Sequence, residues 1–79
     1  MHNPKLKQTI IGIAENQLNQ NNPPEARLTL NRLMSENPDC DYDEAVRRIA
    51  VVLSEEMYEM MKNQRNFDLK RFIKKLNEL

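Results

Sequence analysis

Residues 39–63, "DCDYDEAVRRIAVVLSEEMYEMMKN", decide the fold of this chain. Apolar residues recur there every three or four positions, which is typical of a helix with one face against a core. Within the stretch, "IAVVL" at 49–53 is apolar on all sides and indicates a helix buried on most of its surface. We predict a helix from about Tyr42 to Asn63, ~33 Å long at 1.5 Å per residue, as the centre of the fold. Its apolar stripe consists of Ala45, Ile49, Val52, Leu53, Met57 and Met60, widened by Val46, Ala50 and Met61.

Polar residues mark where this helix begins. Asp41 has the chemistry of an N-cap, and Glu44 three positions later can complete a capping box. Asp39, Asp41 and Asp43 also alternate as at the start of a calcium-binding EF-hand loop. The later positions of such a loop need a glycine and a glutamate, and this chain has Glu44 and Ala50 there. Helix capping is therefore the better interpretation of these acidic residues.

A last helix follows in "FDLKRFIKKLNEL". Asp68 is the predicted N-cap, and Phe67 and Phe72 stand at the two positions of a hydrophobic staple. The residues expected to face the core are Leu69, Phe72, Ile73 and Leu76.

Two helices precede the long one. The first is predicted over residues 4–19, with Asn3 as N-cap and an apolar stripe of Leu6, Ile10, Ile13, Ala14 and Leu18. Gly12 interrupts it, which indicates either a close helix crossing or a tolerated glycine. The second begins at "NNPPEA", where we expect Asn22 as N-cap and both prolines in the first turn. Its stripe is Ala26, Leu30, Leu33 and Met34, and Pro38 ends it at Asn37.

The prediction is therefore an all-α protein, a compact four-helix array with a long, largely buried third helix, forming a single domain over residues 1–79. A 79-residue chain buries a small core. Four apolar stripes exceed what such a core can cover, so we expect a homodimer. With one cysteine, Cys40, no internal disulfide can form. Neither a signal peptide nor a membrane-length apolar run is recognised, so a cytoplasmic location is expected.

Charge is unevenly distributed although the net charge is zero. Residues 41–61 are acidic and residues 62–79 are basic, which predicts attraction between the two segments, within one chain or between two. The basic residues of the last helix, Lys70, Arg71, Lys74 and Lys75, also form a possible face for nucleic acid or another anion. A solvated charged face is the simpler interpretation.

Catalytic and metal-binding chemistry finds little support. Cys40 and His2 are too few for a zinc site, and Cys40 lacks a positioned base. The least unlikely metal ligands are Glu15, Glu55 and Glu59. A di-metal helical bundle also needs Glu-x-x-His pairs on facing helices, and this chain has none. We therefore predict a non-catalytic protein with no cofactor and no metal.

The methionine-rich end of the long helix is the predicted contact surface for a partner protein. Flexible methionine side chains adapt to partner surfaces, although the same spacing also fits a plain core. The residues are Met57, Tyr58, Met60 and Met61. The expected function is a small protein–protein interaction or structural domain that associates with itself, with a nucleic-acid-associated regulator as the alternative.

The chain also resembles a group of small bacterial proteins of unknown function. The similar segments are "NPKL…ENQL", "NPPEARLTLNRLM", "DEAVRRIAVVLSEEMY" and "FDLKRFIKKLNEL", which together span nearly the whole chain. The resemblance implies a bacterial, all-helical, stand-alone domain and transfers no activity. Related proteins often carry histidines in the first and third helices, and this chain has none there. The pair Glu15 and Gln17 corresponds to an early Glu-x-Gln of that group.

Overall fold

The computed structural model describes residues 4–79, with side chains from residue 8 onward. It contains four helices: α1 (Pro4–Gln20), α2 (Pro24–Glu36), α3 (Tyr42–Lys62) and α4 (Leu69–Asn77). No strand occurs in this part of the chain. The all-α prediction is confirmed, and the predicted N-cap Asn3 and the side chain of Leu6 lie outside what is described.

Helix α3 is the longest element and the centre of the array. It packs against each of the other three helices, and α2 also contacts α1 and α4; among the described residues, no contact joins α1 to α4. The core consists of Ala14, Leu18, Ala26, Leu30, Leu33, Cys40, Ala45, Val46, Ile49, Ala50, Val52, Leu53, Phe72 and Leu76. The "IAVVL" prediction is wrong at Val51, which is 56% exposed.

Two predicted helix starts are confirmed. Asp41 Oδ1 accepts the backbone N–H of Glu44 at 2.9 Å, and Asp68 Oδ1 accepts that of Arg71 at 3.1 Å. The second half of the predicted capping box is not formed, because the Glu44 carboxylate pairs with Arg48 Nε at 3.3 Å. The hydrophobic staple is confirmed by an edge-on aromatic contact, with the rings of Phe67 and Phe72 5.5 Å apart.

The corner between α1 and α2 differs from its prediction. Asn21 adopts a left-handed backbone conformation (φ 52°), and its N–H donates to the carbonyl of Leu18 at 3.2 Å. The N–H of Asn22 donates to the carbonyl of Gln17 at 3.0 Å, completing a Schellman ending of α1. Pro23, which is buried and follows a cis peptide bond, is the N-cap residue of α2. The predicted cap Asn22 is thus wrong, because its backbone closes the preceding helix.

Helix α4 is attached to the array from two sides. Phe72 and Leu76 are fully buried, and the guanidinium of Arg32 on α2 donates to the carbonyls of Leu79 (2.7 Å) and Leu76 (3.1 Å). Arg32 thereby joins the end of α4, and the segment that follows it, to α2. Leu69 is exposed, contrary to prediction; it is the first residue of α4, and the residues that this helix buries are Phe72 and Leu76.

Candidate interaction surface

The outer face of α3 carries a row of exposed apolar side chains. Val51 is 56% exposed, Tyr58 62% and Met61 70%. With Ser54 between the first two, they stand at the alternating three- and four-residue spacing of a heptad seam. The Ser54 hydroxyl donates to the carbonyl of Val51 at 2.7 Å, so its polar atom is engaged by the helix itself. We call Val51, Ser54, Tyr58 and Met61 the outer row.

The predicted contact residues are divided between two faces of α3. Tyr58 and Met61 belong to the outer row, whereas Met57 and Met60 are only half-exposed, and Met57 packs against the core. Adjacent residues of a helix diverge by about 100°, so four closely spaced residues cannot all share one surface. Val51 was missed because its neighbours on both sides are apolar.

A groove between α3 and α4 lies beside the outer row. Its apolar surface comes from Val51, Val52 and Leu79. Arg48 and Glu55 line it from α3, and Lys75 of α4 and the following residue Glu78 line it from the other side. Because Val51 belongs to both features, the groove and the outer row form one continuous surface.

Below that surface, one buried carboxylate connects α3 to α4. The side chain of Glu56 is 0% exposed, and its Oε1 lies 3.1 Å from Arg71 Nε and 2.9 Å from Lys75 Nζ. The Lys75 ammonium also lies 3.3 Å from Glu55 Oε2. Glu56 foremost, and Glu55 in addition, raise the pKa of Lys75 above its usual 10.5, since both carboxylates favour the charged ammonium. Glu56 Oε2 has no hydrogen-bond partner among the described residues.

This cluster confirms the predicted attraction between the acidic and basic segments and places it within one chain. It also divides the predicted basic face. Arg71 and Lys75 are engaged in ion pairs, whereas Lys70 and Lys74 are exposed and form no ion pair with any described residue. Half of the charge proposed for anion binding is thus neutralised internally.

The residues considered as metal ligands or catalytic groups do not lie together in one site among the described residues. Glu15 is exposed on α1, and Glu59 accepts a hydrogen bond from Asn63 Nδ2 at 3.0 Å. In residues 4–79, no three His, Cys, Asp or Glu side chains are grouped as a metal site requires. Cys40 is buried, with Sγ 3.8 Å from the carbonyl of Asp41, and His2 lies outside the described residues.

Gln17 is half-buried at the α1–α2 corner, and its Oε1 has no hydrogen-bond partner in the described part of the chain. Its backbone carbonyl accepts the N–H that closes α1. The structure therefore gives Gln17 a position at a helix end. The correspondence of Glu15 and Gln17 to a family pair stays a prediction.

Comparison with protein-family models, with curated proteins and with solved structures finds no match to this chain. The resemblance to small bacterial proteins accordingly stays a prediction. Among the described helices, none combines the length and the apolar character needed to cross a membrane.

Proposed function

We propose that this protein is a non-catalytic interaction domain that associates with itself through the outer face of α3. The observation that carries the proposal is the exposed outer row. Three apolar side chains, each more than half exposed, follow one another along the longest helix at the spacing of a helix–helix seam. Exposed apolar groups that form a contiguous patch mark interaction sites more often than scattered ones do.

Leu28 provides a measure of how unusual this row is. It lies on α2 and is 65% exposed, as much as Tyr58. No other residue of α2 is a large, exposed apolar residue, so Leu28 stands alone on its helix face. A single exposed leucine is ordinary on a soluble protein. Leu28 is therefore a matched control for the outer row.

Sedimentation velocity over a range of concentrations tests the proposal. We expect the parent protein to sediment as a concentration-dependent dimer, and Tyr58→Lys to sediment as a monomer, because a charge at the centre of an apolar seam must be desolvated. Leu28→Lys should behave as the parent does. A parent that stays monomeric at every concentration, or equal effects of the two lysine variants, would contradict the proposal.

Binding of nucleic acid by the basic helix is the second function considered. Its support is reduced to Lys70 and Lys74, because Arg71 and Lys75 already contact Glu56. An electrostatic contact with so few phosphates is weak and is lost with added salt. A mobility-shift assay at low salt, with Lys70→Gln/Lys74→Gln as the comparison, tests it. A shift in the parent that the double variant lacks would favour this second function.

A further inference from the structure

We propose that the corner between α3 and α4 is a hinge through which two copies of this chain exchange α4. In the exchanged dimer the corner is straight, and α4 of each copy occupies the place of α4 on the α2 and α3 helices of the other. The exchange is independent of the outer row, because none of the contacts that it transfers involves an outer-row side chain.

Gln64 has an unfavourable backbone conformation in the closed corner. Its φ is 52°, in the left-handed region, where the Cβ of any residue except glycine approaches the backbone too closely. Helices that end in this way usually have glycine at that position. With glutamine, the closed corner is disfavoured by about fivefold in an equilibrium constant. Straightening the corner relieves this cost, and short hinges under strain favour exchange between copies.

Straightening the corner costs no backbone hydrogen bond. In the closed corner, the N–H of Gln64 donates to the carbonyl of Met61 at 3.4 Å, and the N–H of Arg65 donates to that of Met60 at 3.1 Å. In a continuing α-helix each N–H donates to the carbonyl four positions earlier. The two donors therefore only exchange acceptors when α3 continues through them.

The other two corners cannot straighten in the same way. Pro23 and Pro24 stand between α1 and α2, and Pro38 stands between α2 and α3. A proline inside a helix removes a hydrogen bond and clashes with the preceding turn. Residues 63–68, in contrast, contain neither proline nor glycine. The hinge is therefore specific to α4.

The contacts that attach α4 can form between two copies as well as within one. In the described part of the chain, α4 packs only against α2 and α3. Its attachments are the buried side chains of Phe72 and Leu76, the ion pairs of Arg71 and Lys75 with Glu56, and the bonds from Arg32. A second copy offers identical partners for all of them, which makes such an exchange a low-cost route to a dimer.

The local contacts at the start of α4 move with it. Asp68 caps the N–H of Arg71, and Phe67 packs on Phe72. Both contacts join residues within 67–79, on the far side of Gln64. The hinge can therefore open without loss of the helix start.

Protein concentration decides which form is populated. Within one chain, α4 returns to its own site at a high effective concentration, so the monomer prevails in dilute solution. When the chain folds at high concentration, a second copy competes for α4. The exchanged dimer then persists after dilution, because α4 must detach from its buried site before the copies separate. A dimer held by the outer row needs no such detachment and dissociates on dilution.

Refolding from urea over a range of protein concentrations, followed by dilution and size-exclusion chromatography, tests the exchange. The Tyr58→Lys variant is used throughout, because this substitution removes the proposed outer-row association. We expect a dimer that persists after dilution and whose fraction increases with the refolding concentration. Adding Gln64→Gly should lower its association constant by about 25-fold, because each of its two corners contributes about fivefold.

Asn63→Gly, in the same background, is the matched control. Asn63 has a negative φ of −97°, so glycine there does not relieve the closed corner. We expect this substitution to lower the association constant by about 3-fold at most, since asparagine and glycine differ little in helix propensity. The absence of a persistent dimer at every refolding concentration, or equal effects of the two glycine variants, would overturn the exchange.

Isotope-filtered NOE spectroscopy identifies the exchanged element. The sample is the persistent dimer, refolded from equal amounts of labelled and unlabelled Tyr58→Lys chain. Contacts between α4 and α3 should appear between the two chains. Contacts between chains that leave α4 on its own α3 would overturn the exchange. A parent protein that associates reversibly, combined with a Tyr58→Lys variant that yields no persistent dimer, would support the outer row alone and overturn the exchange.

Discussion

The buried carboxylate of Glu56 gives the sharpest test of how α4 is held. The double variant Arg71→Met/Lys75→Met removes both cations within ion-pair distance of Glu56 Oε1 and retains the length of each apolar stem. The Glu56 side chain, which is 0% exposed, would then be a buried carboxylate with no counter-charge. We expect this variant to be strongly destabilised.

The size of the expected loss of stability follows from the difference in burial between the Glu56 carboxylate and its two cations. A buried charge that loses its partner costs about 3–5 kcal/mol. A domain of 79 residues is stable by roughly 4–12 kcal/mol in total, so the unpaired carboxylate of Glu56 would remove a large part of it. The converse change, Glu56→Met, should be much milder. Arg71 and Lys75 are 46% and 25% exposed in their side chains and can turn towards water.

Urea unfolding followed by circular dichroism measures the free energy of unfolding of the parent, Glu56→Met, the double variant and the triple variant Glu56→Met/Arg71→Met/Lys75→Met. We expect the triple variant to be more stable than the double variant, because replacing a buried ion pair by apolar groups is often neutral. A triple variant that is no more stable than the double variant would refute the reasoning. The loss would then come from the packing of the stems of Arg71 and Lys75.

Three further predictions concern single positions. Gly12→Ala should raise the free energy of unfolding by about 1 kcal/mol, because an added Cβ meets no atom within 4 Å and alanine favours the helix; thermal melting measures it. Gln64→Gly should raise the free energy of unfolding by up to about 1 kcal/mol, because Gln64 has a left-handed backbone (φ 52°) that glycine adopts more readily. Asn63→Gly, at a negative φ, should not stabilise the protein, and urea titrations compare the two variants. The raised pKa of Lys75 means that its stabilising contribution is complete below pH 10.5 and disappears as the pH rises through the higher folded value; urea titrations at alkaline pH should show this loss in the parent and a smaller one in Glu56→Met.

Helix positions followed from local chemistry that acts within a few residues. Asp41 and Asp68 are recognisable as caps from the sequence alone. Each carboxylate accepts the N–H of the residue three positions later, and this contact does not depend on how the helices pack. The staple of Phe67 and Phe72 is equally local. The Asn22 error also has a local cause. Asparagine suits both an N-cap and a helix ending. Here the backbone N–H of Asn22 forms part of the Schellman ending of α1.

The parts that sequence reasoning missed depend on contacts between distant segments. Arg32 binds carbonyls 44 and 47 positions away, which no periodicity can reveal. The burial of Glu56 depends on α4 lying over it, although the attraction between the two segments was predicted. The outer row was found only in part, because Val51 continues an apolar run and only the placement of α1, α2 and α4 shows which side remains open.

In the part of the chain that the structure describes, no contact joins α1 to α4, and this has a consequence for how the molecule opens. Each end helix is attached to the central pair α2 and α3, so neither must unfold for the other to detach. Proteins open in cooperative units that follow such divisions. Amide hydrogen exchange should therefore resolve two separate opening reactions. A substitution that loosens α1, such as Leu18→Ala, should accelerate exchange in α1 while the amides of α4 keep their protection.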